Sequence, residues 1–100
     1  MMENKLWITE FDPQGFENFI INAYKNDNVI FHVNYSEVPI EKSMKLLPII
    51  EKYRPITNKK LIKTIVYVES RIEKWIARAL LKVAKPERPV EFVIKKRVKG

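Results

Sequence analysis

Few residues in this chain of 100 could carry chemistry. His32 is the only histidine and cysteine is absent, which excludes thiolate nucleophiles, disulfides and zinc–thiolate sites. His32 stands between Phe31 and Val33 in an apolar run, and no serine is placed by sequence as its partner. That setting favours a satisfied, half-buried histidine over a catalytic base. Gly15 and Gly100 are the only glycines. Loops that cradle phosphates need several, so that backbone N–H groups can come close, and nucleotide binding by such loops is excluded. Glu10 and Asp12 in one stretch and Glu37 and Glu41 in another could converge on a hard cation. Carboxylates at the starts of loops are ordinary turn residues, however, and a solvated acidic rim is the simpler reading. No catalytic residue, metal site or cofactor is assigned, and the expectation is a protein that is not an enzyme.

Charge is the stronger signal. Residues 1–50 hold four lysines and no arginine against seven acidic residues, a net of −3, whereas residues 51–100 hold fifteen basic against five acidic residues, a net of +10. The formal charge of +7 therefore belongs to the second half. Within it, Arg71, Lys74, Arg78, Lys82 and Lys85 recur at three- or four-residue spacing and predict a basic ridge along one helix face. An acidic protein surface is the first partner expected for such a ridge, with nucleic acid or an anionic membrane surface as alternatives, and an ordinary solvated helix face accounts for the same residues. Lys95, Lys96, Arg97 and Lys99 extend the basic character into a strand end or tail over 95–100.

These side chains need elements to hold them. Lys5 to Phe11 alternates as a first strand. After the Asp12-Pro13-Gln14-Gly15 turn, Phe16, Phe19, Ile20, Ala23 and Tyr24 mark one face of a short helix. Val29 to Tyr35 is nearly continuously apolar, which predicts a strand covered on both faces. Pro39 pre-sets the start of a second helix, in which Ile40, Met44, Leu47 and Ile49 or Ile50 keep the period to about Tyr53. Arg54 to Lys60 reads as a polar connection. Thr64 to Val68 carries the β-branched and aromatic residues of a buried strand. Ser70, with Glu73 three residues on, caps a third helix running to about Lys85, with Ile72, Trp75, Ile76, Ala79, Leu80 and Val83 as its packing face. Pro86 and Pro89 stop it before a last strand over Val90 to Ile94. The sum is a single small α/β domain over 1–100, a mostly parallel four-stranded sheet with three helices in the order βαβαβαβ.

The stretch Val33-Asn34-Tyr35-Ser36-Glu37-Val38-Pro39-Ile40-Glu41-Lys42-Ser43-Met44 resembles the STAS family, the sulfate-transporter and anti-sigma-factor-antagonist domains. There a strand ending in Asp-Leu-Ser leads through an apolar pair to an Asp-Ser-Ser/Thr-Gly helix start. Asn34-Tyr35-Ser36 is similar to the strand end, and Glu41-Lys42-Ser43-Met44 to the helix start if one residue is deleted. The element order over residues 29 to 94 is also similar. More distantly, Tyr67 to Trp75 is similar to the final strand and helix of CRAL-TRIO lipid-binding domains. This sequence departs from the STAS pattern in having Glu41 for the Asp, Lys42 for the first serine and Met44 for the Gly.

The resemblance implies a non-enzymatic protein-interaction or regulatory module of STAS-like shape. Ser36, Glu37, Glu41 and Ser43 would then form the contact loop, and Ser43 or the loop Ser36 would carry phosphorylation. Ordinary capping by Ser36 and a solvated Ser43 account for the same residues. No apolar run approaches the roughly 20 residues of a membrane span, and no signal-peptide core follows Met1 to Lys5. The expectation is a cytoplasmic location.

Overall fold

The computed structural model describes residues 3–35 and 40–95, with the side chains of residues 40–43 and 84 outside that description. The elements are β1 (Asn4–Trp7), α1 (Pro13–Ala23), β2 (Val29–Asn34), α2 (Ile40–Lys52), α3 (Arg54–Lys60), β3 (Leu61–Val68), α4 (Arg71–Ala84) and β4 (Val90–Ile94). The strands form one sheet in the order β1-β2-β3-β4, and every neighbouring pair is parallel. The chain is thus a small α/β domain.

Consecutive strand order has a strong consequence. Each right-handed crossover steps to the next strand in the same direction, so each returning helix lands on the same side of the sheet. The packing agrees. Phe31 meets Phe16, Ile20 and Ala23 of α1 and Leu46 of α2 in one apolar core, and Val66 and Val68 meet Ala77 of α4 in a second. Leu6, Phe31, Val33, Thr64, Val66 and Phe92 belong to this helix-facing side by strand alternation and register. Lys5, Trp7, Ile30, His32, Lys63, Ile65, Tyr67, Glu91 and Val93 alternate to the other. β2 is buried on both faces from Val29 to His32, as its near-continuous apolar run predicts, although helices cover only one of them. That run serves two surroundings, helix on one side and neighbouring rings on the other.

Local sequence explains most of the elements. In α1, Phe16, Ile20, Ala23 and Tyr24 are buried at helical spacing, and Pro13 occupies its first turn, where the missing N–H is harmless. Asn28 adopts the left-handed conformation (φ 55°) that lets the chain turn into β2. In β3, Leu61 pairs with Val29 and Lys63 with Ile30, so the register slips by one residue there.

The stretch 54–60, expected to be a connection, is a fourth helix. Its Thr57 N–H donates to the Tyr53 carbonyl at 2.9 Å, and tertiary bonds hold it in place of an apolar stripe. Thr57 Oγ1 meets the Tyr24 hydroxyl at 2.8 Å, Lys60 pairs with Asp27 at 2.8 Å, and Arg54 donates to the Lys85 carbonyl at 2.6 Å. A helix anchored by polar contacts leaves no hydrophobic period to read. In α2, Leu46 is the buried contact, while Met44 and Ile50 are 48% and 38% exposed, so the packing face lies beside the one the period suggested.

Candidate functional site

The basic ridge lies on α4. The connection from β3 is short: Ser70 is extended, its Oγ accepts from the Glu73 N–H at 3.1 Å, and Glu73 Oε1 accepts from the Glu69 N–H at 3.3 Å. These bonds satisfy donors that a helix start leaves free and fix the direction in which α4 leaves the sheet. At the other end Lys85 takes a left-handed conformation (φ 48°), its N–H donates to the Leu81 carbonyl at 2.9 Å, and Pro86 follows. Arg54 Nη1 closes that end by donating to the Lys85 carbonyl at 2.6 Å.

Side-chain placement on α4 corrects the sequence reading. Ala77, 2% exposed, is the contact with Val66 and Val68, with Ile76, Leu80 and Leu81 partly buried near it. Ile72 and Trp75, each 74% exposed, and Val83, 60% exposed, point outward instead of packing. The reason is supply. Nine of the fourteen residues from Arg71 to Ala84 are apolar, and they spread over more of the circumference than contact with one sheet can bury. The small Ala77 allows close approach to β3, and the surplus faces away.

At about 100° per residue, Trp75 falls between a cationic row, Arg71, Arg78 and Lys82, and an aliphatic row, Ile72, Ala79 and Val83. Arg71, Arg78, Lys82 and Ala79 are exposed, and Lys74 is half-buried on the far flank. Four cations elsewhere pair internally: Lys52 with Glu17 and Lys60 with Asp27 at 2.8 Å, Arg54 with Glu51 at 2.6 Å, and Lys63 with Glu91 at 3.3 Å. Among the described residues no ion pair engages Arg71, Lys74, Arg78 or Lys82.

Of the remaining site residues predicted, Ser36 and Glu37 lie outside the described residues. Glu41 and Ser43 fall within α2, but their side chains also lie outside the description. The loop suggested by the STAS resemblance, its phosphorylation candidates and the convergence of Glu37 and Glu41 on Glu10 and Asp12 thus stay at the level of sequence. Among the described residues no three His, Asp or Glu side chains are grouped to hold a metal ion, and no helix is long and apolar enough to cross a membrane.

His32 is 8% exposed on the face away from the helices, and its Nδ1 lies 2.9 Å from the Tyr67 hydroxyl. Burial, and then the nearby Lys5 and Lys63 ammoniums, hold its pKa below the ordinary value of 6.5, so the ring is neutral at pH 7. Trp7, 53% exposed, stacks on His32 at 5.1 Å between centroids and on Tyr67 at 5.2 Å, and His32 and Tyr67 are 5.8 Å apart. Sequence reading missed this three-ring tier. Its one advance signal is an aromatic or imidazole ring at matching parity in three strands.

Under the helices, two apolar cavities of about 170 Å³ each share Ile8, Phe16, Ile50, Thr64 and Leu81. Tyr35 lines one of them, its hydroxyl buried with no hydrogen-bond partner among the described residues. Burial, and to a lesser degree the Glu73 charge, raise its pKa. No protein-family model matches the chain, and neither a curated protein nor a solved structure matches it.

Proposed function

We propose that the chain is a non-catalytic binding module of STAS-like shape that docks on an anionic membrane surface through the outer side of α4. The observation that carries this reading is the exposure of Trp75 and Ile72, each 74% accessible, beside Arg71, Arg78 and Lys82, which no ion pair engages among the described residues. Indole rings favour the boundary between headgroups and acyl chains, aliphatic side chains enter it, and cations gain from the negative surface potential. Trp75 between an aliphatic and a cationic row meets all three conditions on one convex ridge. An acidic protein would match the cations but leave the aliphatic row to be covered separately, and nucleic acid could use the cations and the indole but would leave Ile72 and Val83 without a use. The parallel sheet with successive crossover helices supports the STAS-like shape. Ser36, Glu37, Glu41 and Ser43 remain the proposed second contact, with Ser43 its phosphorylation candidate.

Vesicle flotation tests the proposal. The protein should rise with vesicles containing phosphatidylserine and stay behind with phosphatidylcholine alone. Each basic residue near an anionic surface contributes about 1 kcal/mol, so Arg71→Glu with Arg78→Glu should weaken binding at least about thirtyfold. Binding that ignores the anionic lipid would defeat the reading.

A further inference from the structure

The opposite face of the sheet carries a separate site. We propose that it binds single-stranded nucleic acid, with an unstacked base laid on Trp7 and the adjoining phosphates met by Lys5 and Lys63.

The geometry comes from three neighbouring strands. Trp7 of β1 stands in register with His32 of β2, and Tyr67 of β3 stacks with both, giving three nearly parallel rings with interplanar angles of 28°, 19° and 15°. His32 is buried and fixed through Tyr67, so Trp7 rests on a rigid support while 53% of its own surface stays accessible. Every base has a π-face, and an exposed indole on a flat sheet accepts one without regard to sequence. A duplex keeps its bases stacked within itself, so the site selects a single strand.

Charge complements the rings. Lys5 and Lys63 stand in register with Ile30, two residues before Trp7 and His32 on the same face, and Lys63 also meets the exposed Glu91 at 3.3 Å, an ion pair a phosphate can replace. Small apolar area argues against a second copy of the chain as the occupant. Among the described residues Trp7 and Val93, on opposite edge strands, are the only large apolar residues of this face that are substantially exposed, and a stable dimer buries about 800 Å² per partner.

Trp7 and Trp75 are the only tryptophans, so Trp75→Phe leaves Trp7 as the sole indole reporter, away from α4. Titration of that variant at low salt with an oligothymidine strand should quench its emission. Binding followed by anisotropy of a labelled strand should weaken roughly tenfold with Trp7→Ala, one lost base stack. Trp7→Phe should retain most of it, and Lys5→Glu should reduce it and flatten its salt dependence. Circular dichroism confirms that each variant is folded. Absence of quenching overturns the proposal, as does binding that survives Trp7→Ala unchanged, which would place the strand on other cations. A concentration-dependent dimer in sedimentation that Trp7→Ala abolishes, without oligonucleotide binding, overturns it in favour of self-association.

Discussion

Two buried polar side chains carry the residue-scale consequences. His32 is held neutral by burial and by the Lys5 and Lys63 charges, so its folded pKa lies below its unfolded value. At pH values between the two, the unfolded chain binds the proton and the folded chain does not, and stability falls as the pH drops. Stability associated with His32 is therefore complete above about pH 6.5 and is lost on acidification toward the folded pKa. Chemical denaturation of the wild type and of His32→Phe from pH 7.5 downward should show the steeper loss in the wild type. Tyr35 is the converse case, a hydroxyl buried with no partner among the described residues. An unsatisfied buried hydroxyl costs about 1–3 kcal/mol, so Tyr35→Phe should raise the denaturation midpoint or leave it unchanged.

At the scale of elements, α4 shows what a single sequence does and does not encode. Its start was legible because Ser70 and Glu73 act on their own neighbours, and its end because Lys85 precedes Pro86. The period of α1 was legible for a similar reason: Phe16, Ile20 and Ala23 leave one packing stripe and no rival. Orientation of α4 was not legible. With apolar residues around most of the helix, several rotations satisfy the period, and the choice fell to the close contact of Ala77 with Val66 and Val68. The same physics hid α3, held by Tyr24, Asp27 and the Lys85 carbonyl from elsewhere in the chain, and the ring tier, which depends on a strand register no local pattern states. The observed orientation makes a stability prediction. Trp75→Ala should change unfolding free energy by no more than about 0.5 kcal/mol. Ala77→Asp, which forces a carboxylate against β3, should cost more than about 3 kcal/mol.

For the whole molecule, the consecutive strand order sets the arrangement of surfaces. It gathers the helices on one side and turns the outer side of α4 away from the sheet, while the other side of the sheet holds Trp7, His32 and Tyr67. Charge follows the same division of labour. Lys52, Arg54, Lys60 and Lys63 neutralise acids within the fold, whereas among the described residues no ion pair engages Arg71, Lys74, Arg78 or Lys82 of α4. Because the two surfaces share no residue, each can be altered without touching the other. The measurement that bears most directly on the α4 surface uses Trp7→Phe, which leaves Trp75 as the only indole. On adding phosphatidylserine-containing vesicles, its emission should shift to the blue and be quenched by brominated acyl chains, and neither change should occur with phosphatidylcholine alone. Emission that stays that of a water-exposed indole while anionic vesicles are present in excess would contradict docking through α4.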